Sequence, residues 1–168
     1  MELNPFRYFL KRYHSPDLRP SEMKRMLNLW LPFVINQIRI KSISNNFQQV
    51  DVILKHSFWN RNPYKAVWGG AIASTVDPFF PMMLKQVFLR KGIPTDFLSK
   101  ASNVQFLKLV ESDLTFPFRV SAENIKSAEK ALQETGKYAG WHMVEAVDKN
   151  GKICVKGEVQ VYLRLRNN

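Results

Sequence analysis

From Ala71 to Leu89 the chain offers a helix with apolar side chains at almost every angle: Ala71, Ile72, Ala73, Val76, Phe79, Phe80, Met82, Met83, Leu84, Val87, Phe88 and Leu89. A helix that is apolar all round is buried on all sides. With 168 residues the chain has enough length for one core, and only a strongly curved sheet encloses such a helix within it. Lys85 and Asp77 interrupt the run, so it falls short of the ~18 uninterrupted apolar residues of a membrane span. Arg90-Lys91-Gly92 closes it, with basic residues at the negative helix end and glycine as the cap.

Two features inside this stretch call for chemistry. Gly69-Gly70 opens the helix, and a glycine pair there exposes backbone N–H groups at a positive helix end, suited to an oxyanion. Asp77 follows in apolar surroundings, where a carboxylate is costly unless paired or used. Asp77-Pro78 also reads as a helix restart, with aspartate as N-cap and proline at the first helical position. Ahead of the glycines runs a polar loop over residues 55–67, in which Lys55, Arg61 and Lys65 interleave with Trp59, Tyr64 and the adjoining Trp68. The basic residues suit phosphate groups; a solvated basic loop over core aromatics is the plainer reading. Asn60 and Asn62 equally suit turns.

The flanks supply the sheet. Ile38 and Ile40, then Val50, Val52 and Leu54, alternate with polar neighbours about a Ser44-Asn45-Asn46 turn, which predicts a hairpin. Further strands are expected over 104–110, 115–120, 138–147 and 152–166, the last two joined by Asp148-Lys149-Asn150-Gly151. A helix over 121–135 is capped by Ser121 and ended by Gly136. Residues 1–31 read as a helical extension of two short helices, the second carrying Met23, Met26, Leu27 and Trp30 and stopped by Pro32. The extension precedes a domain over 32–168. The order predicts an α+β fold: a curved antiparallel sheet around one long helix.

The net charge of +11 attracts anionic partners such as nucleic acid, anionic lipid or a phosphate-rich coenzyme, but no dense basic block favours nucleic acid. The N-terminus has charges among its aromatics and no small-residue cleavage site, so no signal peptide is expected. A single cysteine, Cys154, forms no internal disulfide, and a cytoplasmic location is expected. With one Cys and scattered His14, His56 and His142, no metal-ligand spacing is present and no metal is expected.

The element order, together with Asn62, Gly69-Gly70 and Asp77, resembles the hot-dog fold acyl-CoA thioesterases. The likeness is to the phenylacetate-pathway type and its uncharacterised relatives carrying an NRN…GG…DP pattern, and it covers about residues 30–166. It implies a sheet wrapped round the helix and two subunits joined edge to edge, as a homodimer or a dimer of dimers. It also implies an acyl-CoA substrate, with coenzyme A as part of the substrate and no separate cofactor. The family's functional asparagine falls on Asn62, its oxyanion-hole glycine on Gly70 beside Gly69, and its catalytic carboxylate on Asp77. Lys65, Arg61, Trp68 and Ser74 are then the expected substrate-binding residues. Two positions depart from the pattern: Trp68 occupies the histidine position, and Lys65-Ala66 stands where a glycine-threonine pair is usual. Trp68 donates one hydrogen bond but does not titrate.

Spacing adds an argument of its own. The helix from Gly69 to Asp77 spans about 12 Å, too far for both ends to flank one thioester carbonyl. If both act on one substrate, Asp77 comes from a second subunit. Other readings remain: a non-catalytic acyl-CoA-binding protein, a dehydratase using His56, or a basic nucleic-acid-binding protein.

Overall fold

The computed structural model describes residues 11–166. In chain order these form α1 (Pro20–Asn28), α2 (Leu31–Asn36), β1 (Ile38–Ile43), β2 (Gln49–Leu54), a single 3-10 turn (Phe58–Asn60), α3 (Gly69–Val76), α4 (Phe79–Arg90), β3 (Thr95–Phe106), β4 (Leu114–Arg119), α5 (Ala122–Thr135), β5 (Lys137–Val147) and β6 (Ile153–Leu165). The six strands make one antiparallel sheet in the order β1-β2-β4-β5-β6-β3, and it curves round α3 and α4. This is the curved sheet expected from the all-round apolar run, and the hot-dog architecture that the resemblance implies.

Alternation along β1, β2, β4 and β6 sets the inner face. Ile38, Ile40, Val50, Val52, Leu54, Phe116, Phe118, Val159, Val161 and Leu163 are all buried against the helix. Phe79 and Phe80 meet Phe118 at ring-centroid distances of 4.8 and 5.1 Å, so an aromatic cluster joins α4 to β4. α3 approaches β6 where Gly157 leaves room: a Cβ there would lie 2.7 Å from a Val76 methyl. Overpacking of that kind costs about 1–3 kcal/mol, which explains a glycine in mid-strand.

Three expectations need correction. The long helix is two, broken at Asp77-Pro78. Asp77 and Pro78 keep helical dihedrals (φ −63°, ψ −49° and φ −84°, ψ −20°), but proline has no N–H to give and kinks the path. Pro32 does not stop a helix; it stands in the first turn of α2, so residues 33–36 are helical rather than extended. The strand expected at 104–110 is β3, beginning nine residues earlier at Thr95 and ending at Phe106. Its polar, mostly exposed sequence shows no alternation because the strand is an edge with little to bury. Of the first predicted helix, only residues 11–13 lie among the described residues, and they are helical.

The two sheet edges differ. At β1, the Asn28 side chain of α1 accepts from the Ile40 N–H (2.8 Å) and donates to the Ile40 carbonyl (3.1 Å), while Lys24 donates to the Lys41 carbonyl (2.7 Å). α1 thus covers that edge, with Met23 and Leu27 in the core. β3 pairs only with β6, and its other side is an open edge among the described residues. Among the described residues no helix is long and apolar enough to cross a membrane.

Candidate functional site

The loop before α3 is built to present the helix N-terminus. Arg61 and Val67 form an antiparallel bridge, and the Val67 and Trp68 amides donate to the carbonyls of Val110 and Asn60, at 2.8 and 2.9 Å. Between them Asn62 Oδ1 accepts from the amides of Tyr64 (3.0 Å) and Ala66 (3.2 Å), a tight asparagine turn that leaves its Nδ2 group for other work. Lys65 takes φ +62° within this turn. Asn60 is buried and fully occupied: Nδ2 donates to the carbonyls of Asn36 and Lys55, and Oδ1 accepts from the Ser57 amide. His56 is tied to the Lys65 carbonyl at 2.7 Å.

Gly69 and Gly70 are the first two residues of α3. Neither amide donates to a partner among the described residues, as the first turn of a helix requires, and no side chain caps them. Gly70 is required by Trp68: the half-exposed indole lies across it, and a Cβ there would be 2.2 Å from the ring. Gly69 sits beside the end of β3, where its Cβ would be 3.3 Å from Phe106. Arg61 lies over the Phe58 ring at 5.6 Å, Lys55 pairs with Asp113 at 2.6 Å, and Lys65 is exposed.

Asp77 stands at the opposite end of α3, so the structure keeps the glycine pair and the carboxylate apart within one subunit. Ser74 is exposed one turn earlier, and the buried Thr75 hydroxyl is spent on the Ala71 carbonyl at 2.8 Å. The Asp77 carboxylate has no hydrogen-bond or ion-pair partner among the described residues, while its carbonyl lies 3.5 Å from the Ser99 hydroxyl of β3.

Asp77 lines a cavity of about 630 Å³. Its walls are chiefly apolar: Leu27 and Trp30 from α1 and its turn, Phe33 from α2, Phe79 and Met82 from α4, and Phe97 from β3. Lys85 enters from α4 and is only 3% exposed. Its Nζ lies 2.9 Å from His14 Nδ1 and stands over the rings of Tyr13 (5.2 Å) and Phe97 (5.5 Å). Burial lowers its pKa to about 8, with Arg166 adding to the shift and Asp96 opposing it. Burial and the Lys85 charge lower the His14 pKa, so a neutral imidazole accepts from the ammonium through Nδ1. Burial also raises the Tyr13 pKa. The available signal was Lys85 itself, a cation on an otherwise apolar helix eight residues beyond Asp77.

The fold matches known structures over nearly its whole length. A protein of unknown function from Pseudomonas aeruginosa, described as a probable thioesterase, superimposes with a TM-score of 0.73 at 19% identity, over 91% of this chain and 99% of that one. The Escherichia coli PaaI protein of the phenylacetic acid degradation operon gives 0.60 at 17% identity, over 88% and 94%. Zebra fish thioesterase superfamily member 2 gives 0.62 at 17% identity, over 89% and 100%. At these identities the likeness is one of fold, the hot-dog fold. No curated protein matches the sequence. A family model matches residues 21–163, and the chain belongs to that family, described as a domain of unknown function, DUF4442.

Proposed function

We propose that this protein hydrolyses an acyl-CoA thioester and that its active form is a homodimer with two shared sites. The observation that carries the reading is the disposition of α3: unpartnered glycine amides at one end, an unpaired carboxylate on an apolar cavity at the other. In a dimer joined along the open β3 edges, the glycine end of one subunit faces the Asp77 end of the other. The Gly70 N–H, with Gly69 beside it, holds the carbonyl oxygen as it gains charge. Asp77 of the partner subunit takes a proton from water, whose oxygen bonds to the carbonyl carbon; the C–S bond then breaks and the proton passes to the departing thiolate. Direct attack by the Asp77 carboxylate is the other route to the same products. Asn62 orients the water through Nδ2. Arg61 and Lys65 meet the coenzyme phosphates, Trp68 and Ser74 flank the substrate, and the acyl group enters the cavity beside Asp77.

Free coenzyme A released from a panel of short, long, aromatic and dicarboxylic acyl-CoAs tests this reading. Wild type turns over at least one class, and Asp77→Asn and Asp77→Ala lose about a hundredfold or more in kcat, the scale of a lost general base. Absence of turnover across the panel ends the enzyme reading. A second reading, acyl-CoA binding without hydrolysis, is favoured by Trp68, whose indole donates one hydrogen bond but does not titrate at the position where the resembled pattern has a histidine. Calorimetric binding of an acyl-CoA that is never cleaved identifies it.

A further inference from the structure

We propose that the cavity selects acyl groups ending in a carboxylate, and that Lys85 receives that carboxylate. The placement at the thioester end rests on the hydrolase reading above; the anion site itself does not. Lys85 is almost wholly buried, yet it makes no ion pair among the described residues. Of its three N–H donors one meets His14 Nδ1, and aromatic faces cover the ammonium on two sides. Asp96 also borders the cavity, but its carboxylate is drawn toward Arg164 (3.9 Å) and Arg166 (3.7 Å) rather than committed to Lys85. An acyl chain of plain hydrocarbon would fill the apolar space and leave the ammonium with His14 Nδ1 as its one acceptor among the described residues. A terminal carboxylate supplies one, in a charge-assisted hydrogen bond.

The helix sets the length. Asp77 and Lys85 are eight residues apart along α3 and α4, which keep helical dihedrals through Asp77 and Pro78, a span of about 12 Å. Pro78, Met82 and Lys85 recur at spacings of four and three, so they lie on one helix face and form the floor between the two ends. Phe97 and Ser99, two residues apart on β3, form the facing wall. A thioester at Asp77 therefore places a medium-length chain along the floor with its far end at Lys85.

Full-length wild type, Lys85→Met and Lys85→Arg are compared in two assays. In the first, octanedioyl-CoA and octanoyl-CoA are hydrolysed in parallel. Wild type favours the diacid derivative in kcat/KM by about tenfold or more, Lys85→Met loses or reverses the preference, and Lys85→Arg keeps part of it. In the second, octanoate and octanol are titrated by calorimetry with no thioester present. Wild type binds octanoate at least about tenfold more tightly than Lys85→Met does, while octanol does not separate the two. Turnover of both thioesters without any Lys85-dependent preference overturns the proposal and leaves the hydrolase reading intact. Absence of all turnover with Lys85-dependent octanoate binding removes the hydrolase and supports the anion site. Equal octanoate binding by wild type and Lys85→Met overturns the proposal in every case. Thermal melting of each variant confirms that the compared proteins are folded.

Discussion

At the residue scale, the contact between Trp68 and Gly70 is the most informative. An added methyl at Gly70 would lie 2.2 Å from the indole, so Gly70→Ala pushes the ring away while keeping the backbone amide. Helix propensity favours alanine by up to about 1 kcal/mol, so the melting temperature stays level or rises. Coenzyme A release is expected to fall about tenfold or more, with a shift in tryptophan emission as the indole moves. Trp68→Ala in the same chain removes the obstruction and restores part of the rate; no restoration would place the defect elsewhere. His142 tests a different property. It is buried between Phe80 (centroids 5.3 Å) and the Tyr138 hydroxyl (3.2 Å), and burial lowers its pKa to about 4 from 6.5. Between those values the unfolded chain binds the proton and the folded chain does not. Stability is therefore full above about pH 6.5 and declines as pH falls toward 4. His142→Leu flattens the melting-temperature profile over that interval, whereas an unchanged slope would assign it to other groups.

Among elements, legibility followed burial. β1, β2, β4, β5 and β6 showed themselves because each has an inner face whose apolar residues recur every second position. α5 showed itself through Ser121, Gly136 and the stripe of Ile125, Ala128 and Leu132. β3 was half missed for the converse reason: Asp96, Ser99, Lys100, Ser102 and Asn103 are polar because an edge strand has little to bury. Proline was ambiguous, since the same residue ends one helix and begins another; only the packing of α2 beside the 3-10 turn decided Pro32. Gly69, Gly70 and Asp77 stood out as candidates through their motif and spacing, and the turn at Asn62 was legible through its proline neighbour. Of the cavity only the α4 wall was legible, as an apolar stripe through Phe79 and Met82 suited to an acyl tunnel; Trp30, Phe33 and Phe97 come from three other segments, and nothing in any one of them marks a void. Lys85 was visible only as a break in the apolar run, because its aromatic neighbours Tyr13 and Phe97 are far away in sequence.

For the whole molecule, the unequal edges of the sheet bear on assembly. α1 closes the β1 side, while β3 offers a row of unsatisfied backbone groups along twelve residues, with Leu98 and Phe106 exposed. Such an edge is a template for a second strand. It is also neutral: Thr95–Phe106 carries one acid, Asp96, and one base, Lys100, in a chain of net charge +11. Two subunits joined at this edge would meet where their charges oppose contact least, and added salt should favour the proposed dimer by screening the remainder. Leu98→Lys places a cation on each copy at this edge and is expected to yield a folded monomer by sedimentation. A sharper test concerns the site. A subunit carrying Asp77→Ala retains its glycine amides, and one carrying Gly70→Ala retains its carboxylate. If the halves belong to opposite subunits, unfolding and refolding the two variants together assembles one intact site in every mixed dimer, and coenzyme A release rises above that of either preparation alone. If each site lies within one subunit, every site in the mixture keeps a defect and no rise follows. Introducing Leu98→Lys into both variants should abolish the recovery, because the intact site then has no interface across which to form.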